Sequence, residues 1–170
     1  MTSSQSSPEM PAPAAMVDAL LLVAEQSFFS DAVICEPPDF AERHAALIAA
    51  DPGATARWLS AGVSFRGELS GAVEIDVPEV LARHLLASFA GSADDGADVP
   101  DAQLMDVAGE LANMIAGRWL TAACAGRPFE LVPPHVMWRS GPGDTAPAPG
   151  RDVLLACIDD LPMLVRTVTE

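Results

Sequence analysis

Apolar residues in the first third of the chain recur with helical spacing. Between Met16 and Phe29 they return every three or four positions, which predicts an amphipathic helix. Pro37 and Pro38 end any continuation of this pattern. The residues from Asp39 to Ala50 then predict a shorter second helix.

The middle of the chain changes to strand-like alternation. From Val63 to Val77 apolar and polar residues alternate, and Gly67 and Gly71 bracket a tight connection between two runs. This pattern predicts a β-hairpin with one buried face. Pro78 suits the first turn of a helix, and the apolar stripe of that helix continues until Gly91.

The second half of the chain predicts one long helix followed by strands. The helix extends from about Asp101 to about Ala123, and three strands follow it at 129–138, 153–158 and 163–168. The connector at 140–150 is too rich in Gly and Pro to join a ladder, so we expect a flexible excursion there. Together the elements predict an α+β domain with one mostly antiparallel sheet and helices packed on one face.

Composition places nearly all of these elements in one folded domain. The chain has 170 residues, of which 50% are hydrophobic and 19% are charged, so a mostly disordered protein is excluded. Residues 1–14 are rich in Ser, Pro and Ala and predict a disordered arm, which leaves 15–170 as the single domain. The net charge of −15 repels phosphate backbones and anionic lipid, so neither nucleic acid nor a membrane surface is an expected partner.

The sequence offers no metal site and no export signal that we can identify. Cys35, Cys124 and Cys157 are far apart and lack a CxxC pair or a zinc-like spacing with histidine, so we expect reduced thiols. The N-terminal residues have no basic region, and the apolar run at 19–24 is too short to span a bilayer. We therefore predict a cytoplasmic protein. The three histidines lie on different predicted elements, which favours structural roles.

The long helix carries an unusual line of polar residues. Asp106, Glu110, Asn113 and Gly117 follow the spacing i, i+4, i+7, i+11, so they share one side of the helix. Glycine costs about 1 kcal/mol relative to alanine inside a helix, which makes its presence here locally unfavourable. We expect a surface with little side-chain cover that a partner can approach closely, formed by Gly109, Ala112, Ala116 and Gly117. On composition alone, a solvated surface and a docking or catalytic surface both remain open.

The sequence of this helix resembles a known signature. Asp106-Val-Ala-Gly-Glu110-Leu-Ala-Asn113-Met-Ile-Ala-Gly117 is similar to the motif helix of the CheC/CheX/FliY chemotaxis phosphatase family. In that family an Asp or Ser is followed after three residues by Glu and after two more by Asn. The stretch Phe65-Arg-Gly-Glu-Leu-Ser-Gly71 resembles the first hairpin of the family, and the likeness covers about 60–123.

The resemblance implies a role for each matching position. It implies that Glu110 and Asn113 act on the aspartyl phosphate of a CheY-type response-regulator receiver domain, and that Asp106 supports them. Asn113 would orient the attacking water, since a carboxamide donates and accepts hydrogen bonds at once. Glu110 would pair with a lysine of the receiver. The resemblance implies no cofactor in this chain, and it assigns Mg²⁺ to the receiver.

The first predicted helix separates two branches of the family. It presents Glu25-Gln26-Ser27-Phe28, where a second ExxN motif would require Asn in place of Phe28. The chain is therefore similar to the single-motif, CheX-like branch, whose members pair as homodimers. The segments 37–56 and 140–150 depart from the family pattern, and their roles stay open.

Two functions of different classes follow from these residues. The first is a phosphatase of a phosphorylated receiver, in chemotaxis or in another two-component pathway. The second is a non-catalytic adaptor that docks a receiver or a scaffold through the same helix. The presence of Asn113 favours the phosphatase, because an adaptor would not need the carboxamide that orients water.

Overall fold

The protein forms a helix-covered antiparallel sheet. The computed structural model describes residues 13–50, 57–90, 99–124, 127–148 and 151–169. Within these residues the chain forms four helices and seven strands. In chain order they are α1 (Pro13–Phe28), β1 (Ala32–Ile34), α2 (Pro37–Ala50), β2 (Trp58–Gly67), β3 (Gly71–Pro78), α3 (Glu79–Ala90), α4 (Asp101–Ala123), β4 (Phe129–Leu131), β5 (His135–Arg139), β6 (Arg151–Ile158) and β7 (Leu161–Thr169).

The seven strands form one sheet in which every described pair is antiparallel. The order is β1-β6-β7-β3-β2-β4, and β5 also pairs with β2. The sequence predicted one strand over 129–138, which is wrong, because β4 and β5 pair with separate halves of β2. Pro133 and Pro134 stand between them, and proline has no N–H to donate to a ladder.

The predicted hairpin is confirmed as β2 and β3, and both strands are longer than expected. Phe65 pairs with Gly71, where a side chain would collide with the sheet: an added Cβ would lie 2.1 Å from the Val168 carbonyl oxygen. This close approach explains the glycine. Pro78 is the last residue of β3, rather than the first helical residue, and α3 begins at Glu79.

Three helices cover one face of the sheet. The predicted long helix is confirmed with the expected bounds as α4. The main core joins α1, α3 and α4 to alternate residues of the central strands, among them Val63 and Ile75. The Trp119 ring of α4 meets the Phe65 ring of β2 edge-on, with centroids 5.6 Å apart. This core fixes which side of α4 faces solvent.

Helix α2 is an exception to the predicted one-face arrangement. Its Phe40 packs with Leu155 and Leu164, whose neighbours along β6 and β7 belong to the main core. Because successive side chains of a strand point to opposite faces, α2 lies across the other face of the sheet. The α+β class and the antiparallel sheet are confirmed, and helices occupy both faces.

The segment at 140–148 is tied to the same outer face by a buried ion pair. Arg166 Nη1 donates to Asp76 Oδ2 at 2.7 Å, and the Gly143 N–H donates to the same oxygen at 2.7 Å. Arg166 Nε also donates to Glu74 at 3.1 Å. The sequence predicted a flexible excursion, but these contacts anchor the described part of it to β3 and β7.

The predicted arm lies mostly outside the described residues. Of the segment 1–14, the structure describes only 13 and 14, which belong to α1. Helix α1 therefore begins before the expected domain boundary at Ala15. The assignment of 15–170 as a single domain stays a prediction.

Candidate functional site

The polar line predicted on α4 faces away from the core. Asp106 and Glu110 are exposed, and Asn113 is half-buried. The opposite side of the helix packs against α1, α3 and β2. Its buried apolar residues are Leu104, Val107, Ala108, Leu111, Ala112, Ile115, Ala116, Trp119 and Leu120. The core thus forces the two carboxylates and the carboxamide onto one accessible ridge, with the predicted spacing.

The three motif side chains have no polar partner among the residues that the structure describes. Among the described residues, neither Asp106, Glu110 nor Asn113 makes a hydrogen bond or an ion pair. Their neighbour Arg118 donates instead to Gln26 Oε1 of α1, at 3.3 Å. The acceptors of Glu110 and both hydrogen-bonding functions of Asn113 are consequently open to an external group.

The small residues of α4 do not form the accessible surface that the sequence predicted. Ala112 and Ala116 have 0% exposure, so this prediction is wrong for them. Gly109 is also buried, because α4 crosses the edge of the sheet there: an added Cβ would lie 3.2 Å from both Pro134 and Val136. Of the four small residues, only Gly117 is partly exposed, and its role in docking stays a prediction. At Gly109 the absence of a side chain is explained by the close approach of Pro134 and Val136.

Substitutions at two glycines of α4 distinguish the effect of packing on stability from the effect of helix propensity. Gly109→Leu is expected to lower the free energy of unfolding by about 1–3 kcal/mol, since the leucine would push Pro134 and Val136 away. Gly117→Ala is the control: its Cβ would make only an ordinary contact, 3.6 Å from Leu131. That variant is expected to gain up to about 1 kcal/mol from helix propensity. Urea denaturation measures the free energy of unfolding of both variants. Equal changes in the two would contradict the packing assigned to Gly109.

Two clefts flank the ridge that carries Glu110. On one side, a cavity of about 320 Å³ lies between α1, α3 and α4, with Phe28 and Phe89 in its wall beside Glu110. The Phe89 side chain is 60% exposed, and its ring centroid lies 5.9 Å from that of Phe28. On the other side, a second cleft is lined by Glu110, Pro134 and Val136. A partner that reaches the motif would meet apolar surface as well as charge.

Sequence reasoning missed this apolar surface for a specific reason. Phe89 continues the apolar stripe of α3, so the pattern assigned it to the core. The residue lies in the last turn of the helix, after Leu85, which is the last buried residue of α3. No local signal in the sequence separates a buried end of such a stripe from an exposed one.

The segment of α1 that lacks a second ExxN motif contributes to the core. Glu25 and Gln26 are exposed, but Phe28 is fully buried at the position where the motif would need an asparagine. The side chain there fills the core and the wall of the cavity beside Glu110. The three motif residues all lie on α4.

The histidines and cysteines form no metal site in the described part of the chain. His84 Nε2 lies 2.7 Å from Asp159 Oδ2, and the His44 ring meets Trp58 edge-on with centroids 5.4 Å apart. Burial lowers the pKa of His44. Across the described ranges, no group of three or more His, Cys, Asp or Glu side chains is arranged to hold a metal ion. None of the described helices is long and apolar enough to cross a membrane.

Comparison with known proteins gives the same family as the motif. The model of the family "Chemotaxis phosphatase CheX" matches residues 59–147, just over half of the chain, and this range contains α4 and all of the hairpin except Trp58. No curated protein matches the chain.

Solved structures share the fold at low sequence identity. The chemotaxis protein CheX of Vibrio vulnificus is 18% identical, with a TM-score of 0.65 over 93% of this chain and 95% of that one. CheX of Desulfovibrio desulfuricans is 16% identical, with a TM-score of 0.63 over 92% and 97%. FliY of Thermotoga maritima is 15% identical, with a TM-score of 0.57 over 91% and 84%. With the family model covering both the hairpin and the motif helix, the chain belongs to the CheX chemotaxis phosphatase family.

Proposed function

We propose that this protein hydrolyses the aspartyl phosphate of a CheY-type receiver domain. The observation that carries the proposal is the ridge of α4, where a carboxylate and a carboxamide stand one turn apart without partners among the described residues. Membership of the CheX family supports the same reaction. The substrate is the phosphorylated form of the receiver, and Mg²⁺ belongs to the receiver's acidic pocket.

Asn113 is the residue that we assign to the reacting water. An aspartyl phosphate is an activated acyl phosphate, so catalysis requires mainly a water held in line with the phosphorus. The carboxamide of Asn113 accepts a hydrogen bond from that water through its oxygen and donates through its nitrogen to a phosphate oxygen. The side chain is short, so the backbone of α4 must approach the receiver closely, and the half-buried Gly117 one turn later permits this.

Glu110 is the residue that we assign to docking. Residues three apart on a helix are separated by about 4.5 Å along its axis, so Glu110 reaches a different point of the receiver than Asn113 does. A carboxylate at that distance pairs with a lysine beside the phosphorylation site and fixes the register of α4. Asp106, one turn further back, adds negative charge to the same ridge as a supporting residue.

Both working residues come from one helix of one chain. The site therefore needs no second subunit to be complete, although homodimer formation, implied by the family resemblance, stays a prediction. The chemistry also requires no cofactor in this chain.

The proposal is tested with a panel of phosphorylated receiver domains. Wild-type protein is expected to accelerate phosphate loss from at least one receiver by about tenfold or more. Glu110→Lys is expected to remove this acceleration by weakening binding, since it places a cation opposite the receiver's lysine. Glu25→Lys, on exposed α1, is the matched control with the same change of charge, and it should behave as wild type.

Binding measured beside the rate distinguishes the two functions. If no receiver loses phosphate faster but one binds in a manner that depends on Glu110, the protein is an adaptor and the phosphatase proposal fails. If Glu25→Lys reduces the rate as strongly as Glu110→Lys, the effect is one of net charge, and the assignment of Glu110 to docking is wrong.

A further inference from the structure

Two cysteines that are distant in sequence meet at the edge of the sheet. Cys35 follows β1 and Cys157 lies in β6, and their Sγ atoms are 2.8 Å apart. Cys35 is 9% exposed, and Cys157 is fully buried. Both side chains belong to the small core under α2, with Phe40. No local pattern in the sequence predicts this pair, because 122 positions separate its members.

The backbone on both sides of the pair is held by the sheet. Val33 pairs with Cys157 in the antiparallel register of β1 and β6, and the Cys35 N–H donates to the Leu155 carbonyl at 2.9 Å. Both cysteine side chains therefore point to the same face of the sheet, one from the end of β1 and the other from β6, and their sulfur atoms face each other. A sulfur–sulfur bond is about 2.05 Å long, so its formation would require a movement of less than about 1 Å.

The two thiols differ in their access to solvent. Cys35 lines an open cavity of about 370 Å³ between β1 and α2, together with Arg43 and Glu42. Cys157 lies behind it. Burial, together with the hydrogen bond to Cys35, raises the pKa of Cys157 to about 12. Because Cys35 lines this cavity and Cys157 does not, Cys35 is the sulfur that a small oxidant reaches first.

We propose that Cys35 and Cys157 form a reversible disulfide when the protein meets a hydroperoxide. The Cys35 sulfur attacks the terminal oxygen of the hydroperoxide, and the O–O bond breaks. The thiol proton passes to the departing oxygen, which leaves as an alcohol, or as water when the oxidant is hydrogen peroxide, and Cys35 becomes a sulfenic acid. The Cys157 sulfur then attacks Cys35 Sγ, its proton passes to the departing hydroxyl, and water leaves. The two thiols lose two electrons in total, and the peroxide gains these two electrons. A dithiol reductant reverses the change by thiol–disulfide exchange: the reductant is oxidised to its own disulfide, and Cys35 and Cys157 become thiols again.

The disulfide would form away from the phosphatase motif. It would link β1 to β6 on the face that α2 covers, whereas Glu110 and Asn113 lie on α4 on the opposite face. The bond would close a long loop of chain and restrict the unfolded state. Formation of this disulfide does not depend on whether the protein hydrolyses phosphate.

The test uses the full-length protein with the third thiol removed. Cys124→Ser keeps the pair as the only cysteines of the chain. After treatment with hydrogen peroxide, we expect its intact mass to fall by two hydrogen atoms and its count of alkylatable thiols in denaturant to fall from two to none. A dithiol reductant should restore both thiols. The melting temperature of the oxidised form should rise by about 5–15 °C.

The controls identify the bond and separate it from general oxidation. Cys35→Ser and Cys157→Ser, each combined with Cys124→Ser, should form no intramolecular disulfide and show no rise in melting temperature. Peptide mapping of the oxidised parent under non-reducing conditions does not depend on the folding of these variants, and it should recover the Cys35–Cys157 link. Retention of both thiols, an increase in mass by oxygen atoms, or a disulfide between two molecules would each overturn the proposal.

Discussion

Asn113→Ala is expected to return phosphate loss nearly to the unassisted rate, a fall of about tenfold or more, with binding of the receiver nearly unchanged. Alanine removes the carboxamide that holds the water, while Glu110 keeps its contact with the receiver. The fold should tolerate the change, because Asn113 is half-buried, makes no hydrogen bond within the described residues, and alanine favours a helix.

The measurement compares single-turnover phosphate loss with binding to a stably phosphorylated mimic of the receiver. Asn113→Asp is a matched second variant: it has nearly the same shape, but it loses the N–H donor and adds a negative charge beside the phosphate. We expect it to be as slow as Asn113→Ala. If Asn113→Ala retained more than about a third of the wild-type rate, the water would have to be held by another group, and the assignment would be wrong.

Arg166→Met is expected to have the largest effect on stability, with a loss of about 3–5 kcal/mol. The side chain of Arg166 is 4% exposed, and that of its partner Asp76 is 0% exposed. Removal of the guanidinium leaves a buried carboxylate with the Gly143 N–H as its hydrogen-bond donor among the described residues. Asp76 Oδ1 already has no partner in that part of the chain, so nothing nearby would compensate.

Arg127→Met is the matched control for the removal of an ion pair. Arg127 pairs with Glu68, but both side chains are about half exposed, so water replaces the lost contact. Its cost is expected to be at most about 1 kcal/mol. Chemical denaturation of both variants measures the difference in their free energies of unfolding.

In Arg166→Met, a further change of Asp76→Asn should recover part of the lost stability, since it removes the unpaired charge. Equal costs for Arg166→Met and Arg127→Met would show that burial of the first pair has no energetic consequence.

The candidate site was predictable because its signal is local. Spacing along one helix places Asp106, Glu110 and Asn113 on one line whatever surrounds the helix, and the structure keeps them there. Whether the small residues of α4 face solvent or the sheet was not predictable from spacing. A glycine or an alanine is compatible both with solvent and with a close helix–sheet contact, and only the position of Pro134 and Val136 showed that Gly109 is covered.

Short and edge elements were the least predictable parts of the fold. Strand β1 has three residues, two of them exposed, so it carries no alternation, and it exists as a strand because β6 pairs with it. The break between β4 and β5 had a local cause in two prolines, but the alternation on either side suggested one continuous strand. A strand is defined by its partner, and the partner is distant in sequence.

The sequence by itself determined the long amphipathic helices, the hairpin, the α+β class and the line of motif residues. These depend on periodicity and spacing among residues close in the chain, which fix the relative directions of their side chains. Only the tertiary structure decided that α2 crosses to the other face, that Gly109, Ala112 and Ala116 are covered, and that Cys35 meets Cys157. Those facts depend on how distant segments pack, and a local pattern of hydrophobic and polar residues carries no information about which distant segment lies opposite.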